Sequence, residues 1–86
     1  MKFGLQYDLR NPAKSGRRTP DLYRETLAQI RLAEELGFDD IWLSEHHFTD
    51  DGYLPSLLPF AGAVAAQTER VNIGTNILLM PFHHPI

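Results

Sequence analysis

Hydropathy patterning assigns this chain of 86 residues to the α/β class, with parallel strands joined by helices in the order strand, helix, strand, helix, strand. Three observations carry the assignment. Ile41, Trp42 and Leu43 form a short apolar run after Gly37, the pattern of a strand buried on both faces in a parallel sheet. Two segments with helical ends and helical spacing flank that run. The connections are mostly short, which implies parallel strands and right-handed crossovers.

A first strand is expected over residues 2–9, where Phe3, Leu5, Tyr7 and Leu9 alternate with Gly4, Gln6 and Asp8. If the odd positions face the helices, Gln6 and Asp8 face the other way, either lining a pocket or meeting local hydrogen-bond needs. Asn11-Pro12 and Ser15-Gly16 mark residues 10–18 as a loop. Its Arg10, Lys14, Arg17 and Arg18 could meet a phosphate or an acidic substrate, but a solvated loop is the favoured reading.

Thr19-Pro20-Asp21 starts the first helix, with Thr19 as N-cap, Pro20 at the first helical position and Asp21 favourable to the dipole. Tyr23, Leu27, Ile30 and Ala33 recur on its inner face, while Arg24, Arg31, Glu34 and Glu35 fall mostly outside. Gly37 ends it as a left-handed cap, with Phe38 folding back. The second strand is expected over residues 41–44, followed by a loop over 48–55. Ser56 is the expected N-cap of the second helix, which runs to about Thr68 with Pro59 in its first turn. That helix is small-sided, with Ala61, Gly62, Ala63, Ala65 and Ala66, and so suits close approach to the sheet or to another subunit. A third strand is expected over 71–79. Within it, Gly74 marks either a close approach to the backbone or a bulge.

Composition narrows the function classes. A 43% hydrophobic and 22% charged chain is globular, not disordered. It contains no cysteine, which removes disulfides and thiolate metal sites. A formal net charge of -3 points away from nucleic acid. No apolar run approaches the ~20 residues of a membrane span, and residues 1–5 lack a secretory core, so a cytoplasmic protein is expected.

Chemistry concentrates at Glu45, His46 and His47, where the second strand ends. Carboxyl ends of strands are where parallel α/β folds bind ligands. On residue types alone, polar residues closing a strand account for the two histidines. Glu45, His46, His47, His83 and His84 make a candidate metal cluster, but adjacent strand residues point to opposite faces, so no metal is expected.

Lys2-Phe3-Gly4, Glu35-Leu36-Gly37-Phe38-Asp39, Trp42-Leu43-Ser44-Glu45-His46-His47-Phe48, Ile73-Gly74-Thr75 and His84-Pro85 occur in that order along the chain. In this they resemble the bacterial luciferase-like superfamily of flavin-dependent monooxygenases. The resemblance implies an α/β fold, the N-terminal strand-helix-strand-helix-strand portion of a TIM (β/α)8 barrel. Residues 1–86 would then be an N-terminal fragment of a single barrel domain, since three strands cannot close a barrel of ~250 residues.

It further implies an oxidoreductase that uses reduced FMN and dioxygen to oxidise a small organic substrate, with a flavin reductase as a further partner. His46 matches the family's catalytic histidine and His47 its neighbour, and Glu45 is expected to orient an imidazole. Thr75, Asn76 and Ile77 match the cofactor-binding segment, where the family has a cis non-proline peptide. Asn76 stands where bacterial luciferase has a small apolar residue. The family's main phosphate-binding elements belong to later strands. The family's pairing across its second helix implies a homodimer through Ala61, Ala65 and their neighbours.

Two other readings stand beside this one: an oxidoreductase of the same barrel class using a deazaflavin coenzyme, and an inactive barrel fragment. The paired histidines favour the FMN branch. The isolated 86 residues are expected to associate or stay partly molten and to show no flavin-dependent oxygenation, because their inner strand faces lack packing partners. Hydrogen exchange with an FMN titration checks this; a monomer with protected strands and micromolar FMN affinity would overturn it.

Overall fold

Alternation along the middle strand decides which face of the sheet is covered. In the computed structural model, which describes residues 1–84, β2 (Asp40–Leu43) lies between β1 (Gly4–Tyr7) and β3 (Asn72–Thr75), parallel to both. Ile41 and Leu43 are fully buried. They share a core with Ile30 of α1 (Thr19–Glu35) and with Leu57, Phe60 and Val64 of α2 (Leu57–Gln67). Leu5, Tyr7 and Ile73 pack against the same core. Tyr23 of α1 meets Phe60 of α2 edge to face, with ring centroids 5.4 Å apart.

The opposite face is open, and here the expectation of a strand buried on both sides is corrected. Trp42 is 42% exposed because no helix among the described residues packs over it. Its indole lies instead across Gly74, its register partner: a Cβ built at Gly74 would sit 2.4 Å from Trp42 Cζ3. Gly74 is therefore a site of close approach and not a bulge, since pairing continues in register through it.

The strands are shorter than alternation predicts. β1 stops at Tyr7, and Leu9, at φ 57°, turns the chain so that its side chain enters the core. β2 starts one residue early, at Asp40, and ends at Leu43. β3 covers Asn72–Thr75 only; Asn76 N–H makes one more bond, to Leu43 O at 2.8 Å, and the Asn76–Ile77 peptide is cis. The chain then forms a 3-10 turn at Met80–Phe82. Of the expected motif pieces, Pro85 lies outside the described residues.

Helix ends follow their chemistry with one shift. α1 begins at Thr19, so Arg18 is the N-cap, and Pro20 falls within the first two positions. Thr19 lies inside the helix, and its hydroxyl accepts from Asn11 Nδ2 at 3.3 Å. At the other end Gly37, at φ 98°, carries the left-handed turn. Gly37 N–H donates to Glu34 O and Phe38 N–H to Ala33 O, the two bonds of a Schellman motif. Ser56 precedes α2 and Pro59 sits in its first turn, as expected. Ala61 of α2 packs partly against the core, whereas Leu58, Gly62, Ala65 and Ala66 are exposed.

Two of the loop's basic residues are paired within the chain: Arg10 Nε lies 3.4 Å from Asp51, and Arg17 contacts Glu25. Glu34, assigned by periodicity to the outer side of α1, has a further task. Its carboxylate accepts the backbone N–H groups of Glu69, Arg70 and Val71 at 2.6–3.1 Å, just before β3. The N–H bonds from Arg70 and Val71 outweigh partial desolvation and hold this carboxyl below its usual range; the Glu69 N–H and the Arg70 charge add to them. Because the folded-state pKa is depressed, this stabilisation is present above the ordinary carboxylate range and drains away as pH falls through the folded value. Glu34→Gln is expected to lower the melting temperature of the whole protein at neutral pH, with the difference from wild type shrinking towards pH ~3. An equal melting temperature at neutral pH, or a difference undiminished in acid, would show that the clamp contributes nothing.

Candidate active site at the strand ends

Parallel pairing brings the carboxyl ends of β1, β2 and β3 to one edge, where Ser44 to His47 and Thr75 to Ile77 leave their strands. Ser44 N–H donates to Tyr7 O at 3.1 Å, extending the β1–β2 ladder past the strand proper. On the open face, Gln6 joins all three strand ends. Its Nε2 donates to Ser44 Oγ at 2.7 Å, and its Oε1 accepts from Asn76 Nδ2 at 3.3 Å. Gln6 thus bridges side chains across the sheet, whereas Asp8 serves locally, accepting from Arg10 N–H at 3.1 Å.

His46 is exposed at this edge. Its backbone is fixed by a hydrogen bond from its N–H to Leu54 O at 3.1 Å, and Leu54 N–H in turn donates to Asp8 O at 2.9 Å. Its ring tilts against Tyr53, with centroids 5.4 Å apart. Arg10 stacks over the Tyr53 ring at 4.7 Å while paired with Asp51, so the loops after β1 and β2 brace each other beside His46.

Glu45 is fully buried at its side chain and engages a different imidazole from the one a catalytic reading of His46 suggests. Its Oε2 lies 3.0 Å from His47 Nε2, and its Oε1 lies 2.8 Å from His83 Nε2. Leu79 N–H also donates to Oε2, at 3.3 Å. Burial pushes this carboxyl up, but the hydrogen bonds from His47 and His83, the charge of His83 and the Leu79 N–H together outweigh it, leaving the group below its usual range. His47 packs against Phe82 at 4.5 Å, with the exposed Phe48 ring nearby.

The structure therefore divides the candidate residues into two groups. His46 opens to solvent beside Tyr53; Glu45 and His47 form an inner cluster with His83. Of the cofactor candidates, Asn76 joins Gln6 on the open face and Ile77 is 68% exposed, while Thr75 pairs in register with Leu43. Among the described residues no three His, Asp or Glu side chains are placed to hold one metal ion. Reading from the sequence missed Gln6 as a bridge and His83 as the second partner of Glu45. The only advance signals were the polar residue at an even position of β1 and the histidine pair after Pro81.

Gln6 and Asn76 bring amide donors and acceptors to this edge, partly engaged by each other and by Ser44, and exposed Ile77 brings apolar surface, the residue types that a flavin ring would need there. Arg10 beside it is already engaged by Asp51, so the described strand ends present no evident phosphate ligand there.

Comparison with known proteins bears on the same edge. The family model described as luciferase-like monooxygenase matches residues 1–86. An F420-dependent glucose-6-phosphate dehydrogenase of Microbacterium testaceum is 50% identical over 58 residues, covering 63% of this chain and 17% of its own. The alkanal monooxygenase alpha chain of Photobacterium phosphoreum is 36% identical over 88 residues, covering 99% of this chain and 23% of its own. A crystal structure of the monooxygenase RslO1 from Streptomyces bottropensis superposes with a TM-score of 0.84 at 35% identity, over 99% of this chain and 26% of its own. The oxygenating constituent of 3,6-diketocamphane monooxygenase from Pseudomonas putida, solved in complex with FMN, shares the fold with a TM-score of 0.81 at 24% identity, again over 99% of this chain and 23% of its own. The chain spans about a quarter or less of the length of these proteins. Its strand and helix order is that of the N-terminal quarter of luciferase-like (β/α)8 barrels.

Proposed function

The chain belongs to the luciferase-like monooxygenase family, and on that premise we propose that the whole protein is a flavin-dependent monooxygenase. It would use reduced FMN and dioxygen to oxidise a small organic substrate. The observation that carries the reading is the strand-end edge itself, where an exposed His46 imidazole stands at the same end of the sheet as the amides of Gln6 and Asn76. The likeness to an alkanal monooxygenase alpha chain over 99% of this chain supports the oxygenase branch.

Two-electron activation of dioxygen and delivery of one oxygen atom to the substrate are what reduced flavin supplies when bound. The chain's own residues then have these tasks. Gln6 and Asn76, cross-linked through Ser44 and each other, present fixed amide groups that orient the ring edge. Ile77 supplies an apolar surface. His46 has an imidazole exposed to the site and a backbone pinned by Leu54, so it can give or take a proton without moving its main chain. The Tyr53 ring limits the directions that imidazole can take.

A second reading is favoured by one specific observation, the 50% identity over 58 residues to an F420-dependent dehydrogenase. There the same edge would hold a deazaflavin and pass a hydride to or from the substrate, with no oxygen involved. Titrating the whole protein with reduced FMN and with F420 separates the two; tighter binding of F420 together with no oxygen consumption would replace the first reading with the second.

Replacing His46 with Ala is expected to cut turnover by about 10²-fold or more while leaving flavin affinity within a few-fold. Unchanged turnover would remove His46 from the mechanism. We further propose a homodimer through the exposed Leu58, Gly62, Ala65 and Ala66 side of α2, where small side chains permit close helix approach. Ala65→Arg should then sediment as a monomer, and a variant that stays dimeric would place the interface elsewhere.

A further inference from the structure

We propose that Glu45 is a positioning residue: it clasps the segment that follows β3 to the carboxyl end of β2, and so fixes Asn76 and Ile77 relative to His46. Only its bearing on coenzyme affinity rests on the flavin reading.

β3 ends at Thr75, and the chain from Ile77 to Leu79 has no regular structure before the turn at Met80–Phe82. Leu78 packs partly against the core, whereas Ile77, Met80 and Phe82 are exposed, so apolar burial is a partial anchor for that stretch. Polar contacts add to it, and Glu45 accepts two that span more than thirty residues of sequence. Leu79 N–H donates to Oε2 at 3.3 Å, across 34 residues of sequence. His83 Nε2 lies 2.8 Å from Oε1, across 38 residues. His47, two residues beyond Glu45, completes the set at 3.0 Å from Oε2.

The chemistry of the acceptor fixes the protons. An ionised carboxylate only accepts, so both imidazoles must carry hydrogen on Nε2 to bond it. Bonds of this kind, between a carboxylate and N–H donors in a buried setting, are stronger than neutral ones. The Glu45 side chain has no exposed surface, so water cannot substitute for a lost partner without entering the core. Held this way, the segment carries Asn76 and Ile77 at a constant distance from the β2 end, whose next residue after Glu45 is His46.

The test uses the whole protein and compares wild type with E45A and E45Q. In E45A the amides of Leu79, Phe82 and His83 are expected to exchange with solvent about tenfold faster or more, while those of Ile41 and Ile73 stay as protected as in wild type. Nitrogen-15 spectra of the imidazoles should show Nε2–H on both His47 and His83 in wild type and lose that signature for His83 in E45A. The Kd for FMN should rise about tenfold, with turnover at saturating flavin within a few-fold, the split expected of a positioning residue. E45Q keeps a carbonyl acceptor and should recover part of each effect; if E45A does not fold, the same measurements are read on E45Q. Unchanged exchange at Leu79 and His83 would overturn the clasp, and faster exchange with unaltered coenzyme affinity would overturn its role in the site. Wild-type protein that binds neither FMN nor F420 would refute the proposed function, and exchange and imidazole spectra would then decide the clasp alone.

Discussion

Burial of Ile41 and Leu43 on one face of β2 is the interaction on which the remaining structure depends. Each fully buried aliphatic side chain contributes on the order of 1.5–3 kcal/mol, and among the described residues β2 is the strand with a neighbour on both edges. A slip of one residue would turn both side chains to the open face and bring Trp42 and Asp40 into the core, so register is strongly specified here. Once β2 is set, parallel pairing sets the rest. Tyr7, Leu43 and Thr75 come level, and the residues just after them gather at one edge. The candidate site follows from that register, because His46 and the Gln6–Asn76 pair stand at one edge only if all three strands end together.

β3 illustrates how a strand with little core of its own is held. It contributes Ile73 to the apolar cluster and leaves Asn72 and Thr75 exposed. Carboxylates grip the chain on both sides of it. Glu34, from the last turn of α1, receives the N–H groups of residues 69–71 before β3 begins. Glu45, from the end of β2, receives Leu79 and His83 after it. Both acids accept hydrogen bonds from segments more than thirty residues away, so charge-assisted bonds reinforce the β2–β3 ladder and the packing of Val71, Ile73 and Leu78.

What was legible beforehand were the features governed by local rules. Gly37 ends α1 because a left-handed residue closes a Schellman turn, and the spacing of Ile30, Ala33 and Gly37 displays that rule in the chain itself. Pro59, Ser56 and the apolar alternation of β1 are of the same kind. Glu34 could not be read in this way: at the outer edge of a helical wheel it looks like any solvated acid, and only the return of residues 69–71 gives it a purpose. The same holds for Glu45. A carboxylate next to two histidines suggests a partnership with one of them, but the choice of His47 and the recruitment of His83 depend on where the chain goes after β3. Trp42 departs from the sequence pattern for the converse reason. Its apolar character indicates burial, yet the face it occupies has no covering layer among the described residues, and it covers Gly74 instead.

That contact makes positions 42 and 74 a single unit of substitution. The indole fills the volume that a side chain at position 74 would need, so the pair has a fixed total size. A smaller residue at 42 would leave a hollow on the sheet that a methyl or larger group at 74 could fill, whereas enlarging 74 alone displaces the ring. Any redesign of this face, whether to admit a bulkier ligand or to seal the sheet with another layer, therefore begins by changing both positions at once.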